Sequence, residues 1–182
     1  NDAFPNDPTR SQDSDGDGFD DLEDDCRFAA GNSTEDRLAC PDTDADGYSD
    51  LTIAVGNISG WNISDGADAF PTEPSQWNDT DSDGFGDNLS GFQGDYCPST
   101  FGRSDQNGTY GCFDYDGDGW ADIDDRFVNI SSQWADSDND GYGDEFTGYE
   151  PDACPIEFGT SSGDRYGCLD TDGDSWSDEG DA

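Results

Sequence analysis

Six times along this chain, Asp occupies alternate positions of a short loop that continues into an aromatic residue and a further Asp. The copies span residues 13–21, 42–50, 79–87, 114–122, 136–144 and 170–178. A loop with an oxygen at every second residue and a tight turn can wrap around a hard cation, and calcium takes about six to eight oxygen ligands in this way. The spacing therefore predicts mostly irregular chain wound around calcium ions, with little regular secondary structure.

The composition explains why such a chain would need metal. Its 182 residues include 46 acidic and 6 basic side chains, for a net charge of −40, and only 24 residues are Leu, Ile, Val or Phe. So few large apolar residues at so high a charge are typical of disordered chains. An unfolded acidic tail is the alternative, and halophilic adaptation would also explain the acidity. Neither predicts alternate-position Asp with Gly at the turn, so the spacing favours ordered loops.

Several function classes are disfavoured by the residues that are missing. All six basic residues are Arg, and the chain has no His, which removes the commonest general base and the commonest transition-metal ligand. We predict no enzymatic activity, because the carboxylates stand at metal-ligand spacing and no nucleophile pattern accompanies them. Nucleic acid is not an expected partner without a basic patch. Direct membrane insertion is not expected, since no apolar stretch is long enough to cross a bilayer.

Each loop, numbered from its first Asp, offers candidate ligands at fixed positions. The side-chain ligands predicted at positions 1, 3 and 5 are Asp13, Asp15, Asp17, Asp42, Asp44, Asp46, Asp79, Asp81, Asp83, Asp114, Asp116, Asp118, Asp136, Asp138, Asp140, Asp170, Asp172 and Asp174. Backbone carbonyls at position 7 belong to Phe19, Tyr48, Phe85, Trp120, Tyr142 and Trp176. Position 9, binding directly or through water, is Asp21, Asp50, Asp87, Asp122, Asp144 or Asp178. Six loops predict about six or more calcium ions.

Position 12, where a bidentate carboxylate closes loops of this kind, divides the copies into two groups. Three loops close within the pattern, at Asp24, Asp125 and Asp181. In the other three, position 12 is Ile53, Ser90 or Thr147. Their last ligand must come from elsewhere, and the candidates are Asp65 or Asp68, Asp95 and Asp152. The final loop is the weakest of the six predicted sites, because Ser175 replaces its turn glycine.

The aromatic residues at position 7 allow two interpretations. An exposed row of rings could stack on sugars. Alternatively, the rings form small cores by packing on disulfides or neighbouring turns. The sequence favours the second interpretation.

The six cysteines form three close pairs, separated by 14, 15 and 14 residues: Cys26 and Cys40, Cys97 and Cys112, Cys154 and Cys168. Sequence alone allows 15 pairings, but the repeated spacing favours three local bridges. Each would close a loop worth roughly 3 kcal/mol on the chain-entropy model. Zinc is disfavoured, since there is no Cys-x2-Cys spacing and no His.

Seven Asn-x-Ser/Thr sequons accompany the cysteines: Asn32, Asn57, Asn62, Asn78, Asn88, Asn107 and Asn129. Single sequons are common in any polar loop. Seven in one short chain with paired cysteines predict N-linked glycans and an extracellular or cell-surface location.

Internal repeats predict three tandem modules, residues 1–67, 68–124 and 125–182. The motifs Asp2-Ala3-Phe4, Asp68-Ala69-Phe70 and Asp125-Arg126-Phe127 stand at the start of each module. Every module contains a loop, a cysteine pair and a second loop. The first module also carries an insert, residues 51–64, whose β-branched residues around Gly56-Asn57 indicate a small hairpin. Asp181-Ala182 repeats the Asp-Ala start, which leads us to expect either a longer array or subunits joined head to tail.

The tandem pattern Asp-x-Asp-x-Asp-Gly-x-x-Asp-x-x-Asp, with Cys-Pro between copies, resembles thrombospondin type 3 repeats. The resemblance covers nearly the whole chain. It implies an irregular chain wrapped around a string of calcium ions and bridged by disulfides, in matrix or cell-surface proteins. The longer cysteine loops, the insert and the incomplete position 12 depart from the family.

The function expected from these features is structural: a calcium-stabilised, glycosylated extracellular rod or head-to-tail filament. The alternative is an adhesin or spacer that binds glycans or protein partners at the cell surface. Exposed position-7 rings would favour the adhesin, and buried rings would weaken it.

Overall fold

The computed structural model describes residues 2–52 and 60–180. Regular secondary structure in these ranges consists of one 3-10 helix, Ile63–Asp65, and isolated bridge residues. Thr52 pairs with Trp61 and Gly143 with Pro151, and Asp95 and Tyr110 are bridge residues as well. The prediction of a mostly irregular, disulfide-stapled loop fold is confirmed. Gly, Asp and Asn recur too often for a longer helix or strand to form.

The insert is held at its base by an antiparallel pair. The amide of Thr52 donates to the Trp61 carbonyl at 2.7 Å, and the reverse bond is 3.0 Å long. This pairing agrees with the ends of the predicted hairpin. Its centre, with Ile53 and Asn57, lies outside the described residues.

Small and polar side chains fill the interior. The buried apolar residues of the described ranges are Ala39, Cys40, Ala67, Cys112, Ala121 and Cys168. They are outnumbered by buried polar residues, among them Asp68, Gln76, Asp95, Gln133 and Asp152. Because these small side chains bury little apolar surface, cohesion must come mainly from disulfides and polar contacts.

All six cysteines are disulfide-bonded. The predicted bridges Cys26–Cys40 and Cys154–Cys168 are present, with Cα–Cα distances of 5.0 and 5.1 Å. Cys97 and Cys112 are disulfide-bonded as well. The amides of the second cysteines contribute too: Cys40 and Cys168 each donate to a buried serine hydroxyl, Ser33 or Ser161.

The chain divides into two compact units, Asn1–Ser99 and Thr100–Ala182. The first contains the loops that begin at Asp13, Asp42 and Asp79, and the second contains those that begin at Asp114, Asp136 and Asp170. The three-module division describes the sequence repeat and stays a prediction.

Candidate metal centres

The first Asp of every loop fixes the loop backbone. In the second loop, Asp42 accepts hydrogen bonds from the amides of Ala45 and Gly47, at 2.7 and 3.0 Å. The first Asp of each other loop accepts the same two bonds, from positions 4 and 6. This turn holds positions 1, 3 and 5 on one side of the loop.

The residues at positions 4 and 6, whose amides donate these bonds, have left-handed backbone conformations with positive φ. Position 6 has a φ of 97° to 102° in the five loops with Gly, and Ser175 takes 81° in the sixth. Position 4 is also left-handed, and three loops place Ala45, Ser82 or Asn139 there at a φ of 65°. Such residues carry a steric cost of roughly 1 kcal/mol. The sequence anticipated this constraint at position 6 only.

The acidic side chains at positions 1, 3 and 5 converge. The described residues contain six groups of at least three potential metal-ligating side chains whose ligand atoms lie within 4.8 Å of one another. Five of them are Asp13, Asp15, Asp17; Asp42, Asp44, Asp46; Asp79, Asp81, Asp83; Asp114, Asp116, Asp118; and Asp136, Asp138, Asp140. These groups could each hold a metal ion. In the last loop, Asp172 and Asp174 are exposed, although Asp170 keeps its two bonds.

Several of these carboxylates are buried without a hydrogen-bond donor. Examples are Oδ2 of Asp44, Oδ2 of Asp46 and both oxygens of Asp116. Burial, with neighbouring carboxylates adding to it, raises the pKa of each of these groups. A buried anionic oxygen that faces other anions is costly unless a cation compensates it. This arrangement fits a hard cation.

Position 9 has a bracing role in the structure. Asp50 accepts from the amide of Thr43 at 3.1 Å and from its hydroxyl at 2.6 Å. The other loops repeat the bond to position 2, and those with Ser or Thr there repeat both bonds. A position-9 carboxylate could therefore reach an ion only through its remaining lone pairs or through water.

One geometry is common to five closing carboxylates. Each accepts, through Oδ1, the amide of the second residue after it, at 2.5 to 2.7 Å. The five are Asp24, Asp68, Asp95, Asp125 and Asp152. Asp181, the sixth candidate, lies outside the described residues.

The three closing carboxylates that follow an insertion are the most buried. Asp68, Asp95 and Asp152 are 1%, 1% and 3% exposed, and Oδ2 of each has no hydrogen-bond donor. Burial raises their pKa values to about 7, 6 and 6, with carboxylates of the preceding loop as further causes. For the second loop the choice falls on Asp68. Asp65 is exposed, and its carboxylate accepts from the Asn62 amide.

The position-7 carbonyls of Phe19, Tyr48, Trp120, Tyr142 and Trp176 accept no hydrogen bond from the described residues. By contrast, the next carbonyl along accepts one in every loop, as Ser49 does from Asp68 at 3.0 Å. These five position-7 oxygens are thus free of the loop's own hydrogen bonding and available as ligands.

The rings of position 7 are half-buried in the first five loops. Tyr48 stacks on Trp77 with centroids 5.1 Å apart, and Trp120 stacks on Trp134 at 5.8 Å. Tyr142 packs on Tyr166 at 5.4 Å. Trp176 is 50% exposed. These rings act mainly as small cores, as the sequence favoured.

The sequons differ in accessibility. Five are exposed: Asn32, Asn62, Asn78, Asn107 and Asn129. Asn88 is half-buried, and its amide nitrogen donates to the Ser75 carbonyl at 2.8 Å. A glycan would replace one of the two hydrogens on that nitrogen and leave a single hydrogen for this bond.

The buried side chains of Gln76 and Gln133 were missed by sequence reasoning. The Gln133 amide donates to the carbonyls of Glu145 and Tyr149 and accepts from the Glu145 amide. Gln76 makes the equivalent bonds to Asn88 and Phe92. The repeated Gln-Trp pair was the available signal. The two glutamines hold the insertions that separate Asp95 and Asp152 from their loops.

No protein-family model matches this chain, and no curated protein matches it either. The resemblance to thrombospondin type 3 repeats therefore rests on motif spacing and cysteines, and membership of that family stays a prediction. No helix in the described ranges is long and apolar enough to cross a membrane.

Proposed function

We propose that this chain is a calcium-stabilised, glycosylated structural protein of the cell exterior, which forms a rod or a head-to-tail filament. The observation that carries the proposal is the set of buried closing carboxylates. Asp68, Asp95 and Asp152 each bring an oxygen without a hydrogen-bond donor to a loop that already gathers three Asp. Such a fold needs cations for its cohesion.

Calcium is the metal that the donor set favours. The candidate ligands are all oxygens, from carboxylates and backbone carbonyls, and this excludes a preference for zinc or copper. Calcium tolerates irregular, many-oxygen loops, whereas magnesium demands a near-octahedral site and retains its water. Extracellular modules of this type have dissociation constants of about 10⁻⁴ to 10⁻³ M. Calcium at about 1 mM outside the cell would fill roughly half to nine tenths of about six or more such sites.

The extracellular location is supported by the disulfides and the exposed sequons. Disulfides persist in oxidising compartments, and all six cysteines here are bridged. N-linked glycans on the five exposed Asn residues would add bulk to the surface of the chain.

An adhesin or spacer is the second candidate, and one observation favours it. Phe28, Phe146 and Ile156 are 71%, 82% and 91% exposed, and exposed apolar side chains can serve as contact sites. The half-buried position-7 rings, by contrast, offer little to a glycan.

The decisive experiment is small-angle scattering with negative-stain microscopy on disulfide-intact protein, in millimolar calcium, in equal magnesium and in excess chelator. We expect a stiff rod or fibre in calcium that swells or dissociates in chelator and that magnesium does not restore. Fibre length distinguishes a filament from a spacer. A shape that chelator leaves unchanged would show that the carboxylate loops do not hold the chain together.

A further inference from the structure

The second module contains an aromatic pocket beside the carboxylate loop that begins at Asp79. Its volume is about 290 Å³, and Phe70, Phe85 and Phe92 line it together with Glu73, Gln76 and Gln93. Gly84, the turn residue of the adjacent loop, also contributes to the lining. Gln93 has a φ of 46°, which is rare outside Gly and Asn. Three rings and one carboxylate around a cavity of this size are suited to a ligand that is both apolar and cationic.

The first module fills the equivalent position with its own guanidinium. Arg10 stands six residues after Phe4, as Gln76 does after Phe70. The Arg10 guanidinium carbon lies 4.0 Å from the Phe4 ring centroid, and one of its nitrogens donates to the carbonyl of the turn residue Gly18 at 2.8 Å. Glu23 lies 3.7 Å from the Arg10 Nε.

Gln76 leaves this position open in the second module. Its amide is turned to the carbonyls of Asn88 and Phe92, at 2.9 and 3.1 Å. The Gly84 carbonyl, which corresponds to that of Gly18, accepts no hydrogen bond from the described residues. The ring, the turn carbonyl and an acidic residue are thus all present without the cation.

The third module contains an equivalent pocket that is smaller and has a different lining. A cavity of about 50 Å³ lies between Phe127, Tyr142 and Tyr149, and its acidic residue is Glu150 rather than Glu73. Its smaller volume makes the second module the better site.

We propose that the second-module pocket binds the guanidinium of an arginine side chain carried by a basic polypeptide partner. The planar cation stacks on an aromatic face and donates to the Gly84 carbonyl, while Glu73 neutralises its charge, as Phe4, Gly18 and Glu23 do for Arg10. The net charge of −40 attracts basic partners over a longer range.

The test is an NMR titration of the disulfide-intact chain in millimolar calcium with the peptide acetyl-Gly-Arg-Gly-amide. Its twin with citrulline keeps the shape and removes the charge. We expect saturable shifts at Gly84, Phe92 and Gln93 with the arginine peptide only. Glu73→Gln should weaken binding about three- to fivefold, and Phe92→Ala about two- to fivefold.

Glu35→Gln is the matched control, because it removes the same charge from an exposed side chain outside the pocket lining. It should leave binding unchanged. Equal binding of the citrulline peptide, equal weakening by Glu35→Gln, or no saturable shift with the arginine peptide would each overturn the proposal. A peptide with several arginines should bind more tightly than acetyl-arginine methylamide, because the net charge of −40 attracts its additional charges. Equal affinities of these two ligands would overturn the polypeptide source.

Discussion

At the scale of single residues, Asp68 links the second loop to pH. Its carboxyl is almost fully buried, and Asp44, Asp46 and Asp50 surround it. Burial, reinforced by these neighbours, raises its pKa from 3.8 to about 7. The metal-free fold therefore retains a proton there that the unfolded chain has already lost, and its stability falls as pH rises from about 4 to about 7.

Calcium must displace that proton, so its affinity should rise with pH through the same window. Asp95 and Asp152, with pKa values near 6, act in the same direction. We expect weaker calcium binding at pH 5.5 than at pH 8, with protons released on binding at the lower pH. Calorimetric titrations in buffers of different ionisation enthalpy measure both. Binding that is independent of pH would argue against these three carboxylates as ligands.

Asp68 and Asp65 form a matched pair for substitution. Asp68→Asn should remove one calcium equivalent or weaken it at least about tenfold, because a charged carboxylate ligand becomes a neutral amide. Asp65→Asn should change little, since Asp65 is exposed. Equilibrium dialysis with calcium gives the stoichiometry of each variant. If the two variants behave alike, the assignment of Asp68 as the closing residue is wrong.

The ligand positions show what the sequence could predict at this scale. The convergence of the carboxylates at positions 1, 3 and 5 was predictable, because these residues lie within one continuous stretch. The residue that closes the second loop was ambiguous between Asp65 and Asp68. The insertion of residues 51–64 shifts the closing carboxylate away from position 12, so the loop spacing no longer identifies it. The local signal that decides it is Asp-x-Phe or Asp-x-Cys, where the carboxylate accepts the amide two residues on. The bracing bond of position 9 to position 2 was missed, although Ser and Thr recur there.

At the scale of structural elements, the turn at residues 145–149 is held by the buried polar side chain of Gln133 and not by apolar packing. Gln133 is 1% exposed and satisfies three backbone groups of residues 145–149. A Cβ on Gly143 or Gly148 would meet the Gln133 side chain, which shows how closely the turn packs around it.

Gln133→Ala should therefore destabilise this turn by about 3 kcal/mol or more, because each unsatisfied buried group costs about 1 to 3 kcal/mol. Hydrogen exchange of residues 145–152 should quicken while the Asp114 loop stays protected. Gln12→Ala is the control, since Gln12 is exposed. Unchanged exchange in Gln133→Ala would mean that calcium alone holds the turn.

At the scale of the whole molecule, an experiment can separate the effect of charge repulsion on the fold from the effect of metal coordination. In chelator, raising NaCl from about 0.05 to 1 M shortens the Debye length from over 10 Å to about 3 Å and should compact the chain. Screening supplies no ligands, however. The stacked pairs Tyr48–Trp77 and Trp120–Trp134 should therefore regain their near-ultraviolet circular dichroism with calcium and not with salt. Full recovery of that signal by salt alone would contradict the role given to the metal.

The irregular fold was predictable at this scale, because a chain with 24 large aliphatic and Phe residues and a charge of −40 cannot be organised by an apolar core. The aromatic stacking partners were not predictable. Trp77 and Tyr166 lie 29 and 24 residues from the rings they contact, in segments whose path depends on the loops between them.

The distance along the chain between position 9 and the closing carboxylate varies widely. Two residues separate Asp122 from Asp125, seven separate Asp87 from Asp95, and seventeen separate Asp50 from Asp68. The closing Asp nevertheless keeps the same turn in all three cases. The segment between position 9 and the closing Asp therefore tolerates insertions and deletions, because its length can change while the carboxylates of the ion site keep their arrangement. A protein engineer could graft an epitope or an enzyme-cleavage tag between Asp122 and Asp125 and display it at the repeat interval.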